Sequence, residues 1–405
     1  VIQHFAELVP DHRLNGYLDY GGKDNGAAAR TLRLGLDFSL KTIYPTQEVY
    51  RMSKSRHRSF RWSWLVAVMA VVGMVSGLGL ATPPAPAQAA PYKQFPSVPL
   101  DPSALVGQVG PQVVNINTKL GYNNAVGAGT GIVIDPNGVV LTNNHVISGA
   151  TDISAFSVGD GRTYGVDVVG YDRTQDVAVL QLRGAGGLPT AAIGGGVSVG
   201  EPVVAMGNTG GQGGTPRAVA GKVLAVNQTV QASDSLTGAA ETLNGLIQFD
   251  GAIQPGDSGG PVVNGAGQVV GMNTAATENF QMSQGGQGFA IPIGTAMGIA
   301  NNIRSGGGSP TVHVGPTAFL GLGVVDNNGS GARVQRVVGN APAAAAGISN
   351  GDIITALDGV PINSATAMSD ALNGHHPGDM VSISFTSKTG VARTENVTLA
   401  EGPPA

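Results

Sequence analysis

The chain is predicted to be mainly β, with a large all-β domain followed by a smaller α+β domain. Three observations carry this. Glycine supplies 63 of 405 residues while charged residues make up only 12%, a composition suited to many turns between short strands. Apolar runs of four residues recur, bounded by turn signals. A Gly/Ser stretch at Ser305-Gly306-Gly307-Gly308-Ser309-Pro310 divides two such blocks.

The first block runs over 100–304. Its runs include Val113-Val114-Asn115-Ile116, Gly131-Ile132-Val133-Ile134, Val177-Ala178-Val179-Leu180, Val203-Val204-Ala205-Met206 and Val269-Val270-Gly271-Met272. They are short and β-branched, as barrel or sandwich strands are. Asp135-Pro136-Asn137-Gly138 lies between two of them and predicts a hairpin turn. Residues 292–304 have helical spacing with a proline at the start. The segment 305–314 is expected to be a flexible linker. The second block, 315–401, holds further strands and one helix over 364–373, with Gly374 as its stop.

Charge argues against a nucleic-acid partner. Residues 1–90 hold 10 Lys/Arg and 6 Asp/Glu of the chain's 22 and 26, which leaves 12 against 20, a net of −8. Such a body repels a phosphate backbone. Cysteine is absent, so no disulfide framework or thiolate metal site is available. Only His375 and His376 among the later histidines are adjacent. They are expected to be solvated loop residues, and neither a metal nor an organic cofactor is expected.

The stretch from Met52 has the order of an export signal. Lys54, Arg56, Arg58 and Arg61 form a basic front, an apolar run follows from Trp62 to Ala81, and Ala87-Gln88-Ala89 offers small residues for cleavage. Residues 52–89 are therefore expected to be a signal peptide. The product would be secreted or held at the cell envelope, touching the membrane only transiently. Residues 1–51 precede this signal and are expected to be either an untranslated stretch upstream of the true start or a cytoplasmic extension. Residues 90–99 form a short N-terminal segment.

The motif with the most chemistry is Gly256-Asp257-Ser258-Gly259-Gly260-Pro261. A nucleophilic serine needs a tight turn that exposes Oγ and backbone N–H groups aimed at a developing oxyanion. Glycines on both sides of Ser258 permit that turn, and the N–H groups along Gly256, Asp257 and Ser258 are the candidate oxyanion hole. His145 is the one histidine between residues 91 and 312, so it is the candidate general base. Asp176 abuts the run Val177–Leu180, where a carboxylate can be buried and held. It is preferred over Asp172, which is expected to be solvated in a turn. The chain order His145, Asp176, Ser258 is that of the chymotrypsin-like double β-barrel, and it differs from subtilisin and the α/β-hydrolases.

These strings, TNNHV, DVAVL and GDSGGP, together with QFDGAIQPGDSGGPVVN and GQGFAIP, resemble the HtrA/DegP branch of trypsin-like proteases, including the secreted PDZ-bearing members from mycobacteria. The resemblance covers nearly all of 95–405. It implies a chymotrypsin-like double β-barrel followed by a small α+β PDZ domain. It also implies a serine endopeptidase acting on unfolded or exported proteins, with Ser258 as nucleophile, His145 as base and Asp176 orienting it. Most members carry Asn where this chain has Asp257. The position six before the serine is Ala252, not an acid, which argues against cleavage after Lys or Arg. The resemblance places Ala252, Ile253, Phe289, Ala290 and Ile291 around an apolar S1 pocket suited to small or medium aliphatic residues. Asp250 is expected to be structural.

In the second block Phe319-Leu320-Gly321-Leu322 resembles the carboxylate-binding loop of a PDZ domain, which captures C-terminal peptides by strand addition. Met368 and Leu372 would line the side-chain pocket or simply be core. Family members are often trimers held by N-terminal aromatics, a role open to Tyr92 and Phe95. The alternative is a PDZ-dependent peptide-binding or chaperone-like protein whose protease is inactive at rest.

Overall fold

The computed structural model of the chain describes residues 100–233, 240–274 and 286–405. The expected signal at 52–89, the extension 1–51, and Tyr92 and Phe95 lie outside those residues.

A short helix, α1 (Pro102–Val109), opens the fold, with Asp101 capping its first N–H groups. The first barrel follows: β1 (Val113–Leu120), β2 (Ala125–Asp135), β3 (Val139–Thr142), helix α2 (Asn144–Ile147), β4 (Asp152–Ser157), β5 (Thr163–Asp172) and β6 (Val177–Leu182). Its strands run β5-β4-β1-β2-β3-β6 and close because β5 also pairs with β6. The predicted hairpin joins β2 to β3. The Gly138 N–H donates to the Asp135 carbonyl at 3.0 Å, and Asp135 Oδ1 accepts from the Asn137 N–H at 3.0 Å.

The second barrel comprises β7 (Pro202–Gly207), β8 (Arg217–Ser233), β9 (Ala240–Phe249), β10 (Pro261–Val263), β11 (Val269–Asn273) and β12 (Gly288–Pro292). It is closed in the order β10-β11-β12-β9-β8-β7. The long helix α3 (Ile293–Arg304) follows at once and buries Ile293, Ala296, Ala300 and Ile303, one face at helical spacing. These side chains pack in one cluster with Ile132, Leu141 and Val179 of the first barrel and Val204, Met206 and Met272 of the second. That shared apolar seam holds the two barrels together, so loops converging on it are held from both sides.

The segment expected to be a flexible linker departs from that reading at its end. Val312–Val314 form β13, which pairs antiparallel with the end of β5, Val312 opposite Asp172 and His313 opposite Tyr171. Val312 and His313 are both buried, which glycine counting could not reveal.

The second domain contains β14 (Thr317–Phe319), β15 (Leu322–Asp326), β16 (Ala332–Val337), α4 (Pro342–Ala345), β17 (Ile353–Leu357), β18 (Val360–Pro361), α5 (Ala365–Asn373), β19 (Met380–Thr386), β20 (Ala392–Thr398) and β21 (Ala400–Gly402). The main sheet is ordered β15-β16-β17-β19-β20, and β14 pairs with β21. Its own core includes Leu320, Ile354, Met368, Ile383 and Phe385. Ser364 caps α5 by accepting from the Ala367 N–H at 3.0 Å. Gly374 ends the helix at φ −85°, so a right-handed residue stops it without the left-handed turn that glycine usually supplies.

His313 ties the domains. One ring nitrogen lies 2.8 Å from the Asn373 carbonyl and the other 3.1 Å from the Pro316 carbonyl. Its ring stacks between Tyr171 and His376. Both lie in a loop, as expected: His376 is exposed while joining this stack and lying 3.1 Å from the Val314 carbonyl, whereas His375 is half-buried between Asp358 and Asp379. A neutral imidazole can donate to one of the two carbonyls and an imidazolium to both. His313→Phe keeps the stacking volume and removes every donor. It is expected to cost about 1–3 kcal/mol for each carbonyl left unpaired. Scanning calorimetry should show a clearly lower Tm, and an unchanged Tm would contradict this account.

Candidate active site

His145 is the second residue of α2, directly after β3. The sequence placed it where a strand meets a loop, and the loop is one helical turn. Asp176 sits just before β6 at φ +53° and is buried. Strand β3 pairs with β6, and this pairing brings the two residues together across 31 positions of chain. His145 Nδ1 lies 3.0 Å from Asp176 Oδ1 and 2.9 Å from Oδ2. The His145 backbone N–H also donates to Oδ1 at 3.0 Å. An ionised carboxylate only accepts, so Nδ1 carries the proton and Nε2 holds the lone pair. Nε2 is buried and has no hydrogen-bond partner among the described residues.

Two further side chains hold Asp176 that the sequence did not single out. Thr274 Oγ1 donates to Oδ2 at 2.9 Å. Asn143 Nδ2 donates to the Asp176 carbonyl at 2.9 Å. Asn143 stands two residues before His145, so its place in TNNHV was the available clue. Thr274 is 98 residues from Asp176 and gave no local signal. Asp172, expected to be solvated, is buried. Its Oδ1 accepts from the Thr174 N–H, the Thr174 hydroxyl and the Gln175 N–H at 2.8–3.1 Å, which fixes the turn that presents Asp176.

The Ser258 turn is held through its carbonyls. Ser258 C=O accepts from the Thr130 N–H at 2.8 Å, and Gly256 C=O accepts from Thr130 Oγ1 at 2.7 Å. Thr142 Oγ1 donates to the Thr130 carbonyl at 2.7 Å. The same β2 and β3 residues therefore seat the serine turn and lead into α2. The Pro255 carbonyl accepts from the Gly210 N–H at 2.7 Å. No peptide bond of the described residues is cis. In a trans peptide the N–H points opposite to the C=O, so the Gly256 N–H is turned away from Gly210. Gly256 has φ +94°, and a Cβ there would stand 2.1 Å from the Asn208 carbonyl oxygen. Only glycine fits.

Asp257 is buried beneath this turn. Its Oδ1 accepts from Thr209 Oγ1 at 2.6 Å and its Oδ2 from the Gln254 N–H at 2.8 Å. Burial raises its carboxyl above the ordinary range, against the lowering pull of those hydrogen bonds. The folded state then keeps a proton that the unfolded chain releases, so stability falls as pH rises through that window. The penalty is fully present above the raised value. Asp257→Asn cannot ionise, and its amide can accept from Gln254 while donating to Thr209. The variant is expected to have a higher Tm than wild type at pH 8. The difference should shrink as pH falls from the raised value toward about 4 and be gone well below it, where the carboxyl is protonated in both the folded and the unfolded chain. An equal Tm at pH 8 would refute this.

The residues expected around S1 do not share one environment. Ala252, Ile253 and Phe289 are half-buried, Phe289 against the seam between the barrels and Ile253 against the cluster of Phe249 and Val262. Ile291 packs in the seam between the barrels, and Ala290 in the other cluster with Phe249 and Val262. Alternation along β12 separates them. Asp250 accepts from the Lys222 N–H and serves to pin β8. In the second domain Gly321 has φ +79°. Leu320 and Met368 are core, while Phe319 stacks on Tyr122 of the β1–β2 turn at 5.2 Å. Leu322 and Leu372 are half-buried against the same core.

Two closed six-stranded barrels with a His–Asp pair and a GDSGGP turn at their seam define a trypsin-like serine peptidase. Comparison with known proteins agrees. Residues 129–272 match the trypsin-like peptidase domain family and residues 318–398 match the PDZ domain family. The serine protease PepD of Mycobacterium tuberculosis is 36% identical over 341 residues, covering 78% of this chain and 70% of PepD. The serine protease Do-like HtrA of Lactobacillus helveticus is 32% identical, with 66% of this chain and 67% of that protein covered. A probable periplasmic serine endoprotease, DegP-like, of Pseudomonas savastanoi pv. phaseolicola is 36% identical over 58% of this chain, which spans 48% of its length. The solved HtrA-type protease AlgW with tripeptide is 28% identical, covers 75% of this chain and 98% of its own, and has a TM-score of 0.44. The chain belongs to the HtrA/DegP family of trypsin-like serine proteases and carries a PDZ domain.

Proposed function

We propose that the chain is an exported endopeptidase that cleaves unfolded or exported proteins through Ser258, His145 and Asp176. The observation that carries this is the buried carboxylate of Asp176 holding His145 Nδ1 at 2.9 and 3.0 Å, which leaves Nε2 as the base. Ser258 Oγ attacks the scissile carbonyl while Nε2 accepts its proton. The carbonyl oxygen becomes an oxyanion and is held by the N–H groups of Gly256 and Ser258. Collapse of the intermediate breaks the C–N bond, and the imidazolium returns its proton to the leaving amine. The acyl-enzyme on Ser258 is then hydrolysed by water activated at the same nitrogen. Asp176 stabilises the imidazolium throughout. Ala252 and Phe289 make the acyl-side pocket small and uncharged, which favours aliphatic residues before the cut. The PDZ domain binds C-terminal peptides at Phe319–Leu322, to recruit substrate or set activity.

Fluorophosphonate labelling of the mature protein, with the modified residue located by mass spectrometry, tests this reading. Labelling is expected at Ser258 and should be lost in His145→Ala, and a peptide with valine before the cut should outpace its arginine counterpart. Silence of folded protein, with and without a PDZ-binding peptide, would instead favour a peptide-binding protein with an inactive protease.

A further inference from the structure

Beyond β21 the chain leaves the PDZ sheet and runs back onto the first barrel. The Pro404 carbonyl accepts from the Gly149 N–H at 2.8 Å, and the Ala405 carbonyl accepts from Asn144 Nδ2 at 3.0 Å. The Ala405 N–H donates to the Tyr171 hydroxyl. Proline has no N–H, so every backbone polar group of 404–405 is paired with the barrel. Pro404 is buried, and Ala405 packs against the cluster that includes Val146, Ile147 and Tyr171.

The two anchors bracket the base. Asn144 directly precedes His145, and Gly149 stands just past the end of α2. A helix of one turn is not stable alone and takes its position from what it touches. Asp176 holds the front of this turn through Asn143 Nδ2 and the His145 N–H. Val146 and Ile147 are buried and hold its inner face. The segment 403–405 holds the rest. Its other end belongs to the PDZ domain, where β21 pairs with β14, Ala400 opposite Phe319. Phe319 opens the loop at 319–322. Pro403 and Pro404 each fix φ, so the connection from that pairing to α2 is short and stiff.

We propose that residues 403–405 are a positioning element for the reaction. By clamping α2 they keep His145 aligned on Asp176, and they make that alignment depend on a docked PDZ domain. Asn144 is the side chain through which the clamp acts. The inference rests on the proposed role of His145 as the base.

The test compares the mature protein with a chain ending at Gly402 and with full-length Asn144→Ala, at a temperature where calorimetry shows them folded. If the shortened chain does not fold, Asn144→Ala carries the same expectation. One readout is cleavage of a C-terminally amidated valine peptide, which offers the PDZ domain no carboxylate. The other is the low-field proton NMR signal of His145 Nδ1–H, which reports the bond to Asp176 without turnover. A displacement of about 1 Å at a reacting group costs about 10²-fold. Because α2 keeps its other anchors, kcat is expected to fall by about tenfold with KM within about twofold, and the signal should shift or broaden. A lower Tm with kcat and the signal unchanged would overturn the proposal, since the segment would then only stabilise the fold. A raised KM with kcat and the signal unchanged would also overturn it, because the segment would then serve substrate binding. If the wild type cleaves nothing, the protease reading falls and the signal alone decides. A signal unchanged in the variants then overturns the clamp, and a shifted one upholds it.

Discussion

Asp176→Asn is expected to lower kcat by about four orders of magnitude, the size of effect that the same change has in a trypsin triad. Asparagine is the informative replacement here. Asp176 has φ +53°, a conformation that asparagine adopts readily and alanine does not, so the backbone should not move. What changes is the charge and the donor pattern. The carboxylate accepts from the His145 N–H, from Nδ1 and from Thr274. An amide can accept through its oxygen only, and its NH₂ competes for one of these places. The imidazolium that forms as Ser258 attacks then lacks its buried counter-charge. The check is steady-state cleavage of a valine peptide, with calorimetry to show an intact fold. A folded variant retaining more than a tenth of wild-type kcat would mean that Asp176 does not support the base.

The second large effect concerns the oxyanion site. Gly256→Ala is expected to lower kcat by about 10²–10³-fold with a much smaller change in KM. A Cβ at this position would meet the Asn208 carbonyl oxygen at 2.1 Å and the Gly210 nitrogen at 3.1 Å, and its φ of +94° is strained for any L side chain. The local way out is rotation of the Pro255–Gly256 peptide. That breaks the bond from the Gly210 N–H to the Pro255 carbonyl and carries the Gly256 N–H away from the substrate. The rest of the turn stays tied to Thr130, so the barrel should survive. Fluorophosphonate labelling should slow in parallel. Activity within threefold of wild type would show that this N–H is not a donor to the transition state.

Much of this is legible in the sequence alone. The β-branched runs sit in β1, β2, β6, β7 and β11, the turn at 135–138 is a hairpin, and α3 begins directly after its proline. Local chemistry sets these features, so a local reading recovers them. His145 and Asp176 were found by elimination and by position beside a strand, and the β3–β6 pairing brings them together. What escaped depends on contacts between distant segments. Thr274 reaches Asp176 from the other barrel. Ile291 fits an apolar pocket by type but faces the seam, because the direction of alternation along β12 is set by its partners β9 and β11. Asp172, expected to be solvated in a turn, is instead the last residue of β5 and is buried, because it gathers the N–H groups of the turn that follows.

The strand formed by 312–314 has a consequence for biosynthesis. It lies along the edge of β5, beyond the closed first barrel. Chain emerges from the ribosome N-terminus first. The barrel carrying His145 and Asp176 is therefore synthesised well before the strand that covers this edge. Until residue 314 appears, the end of β5 offers unpaired N–H and C=O groups to any passing strand. The joint between the domains thus also acts as the last stave of the first barrel's sheet. The sheet of the first barrel is complete only once the segment leading into the PDZ domain is in place.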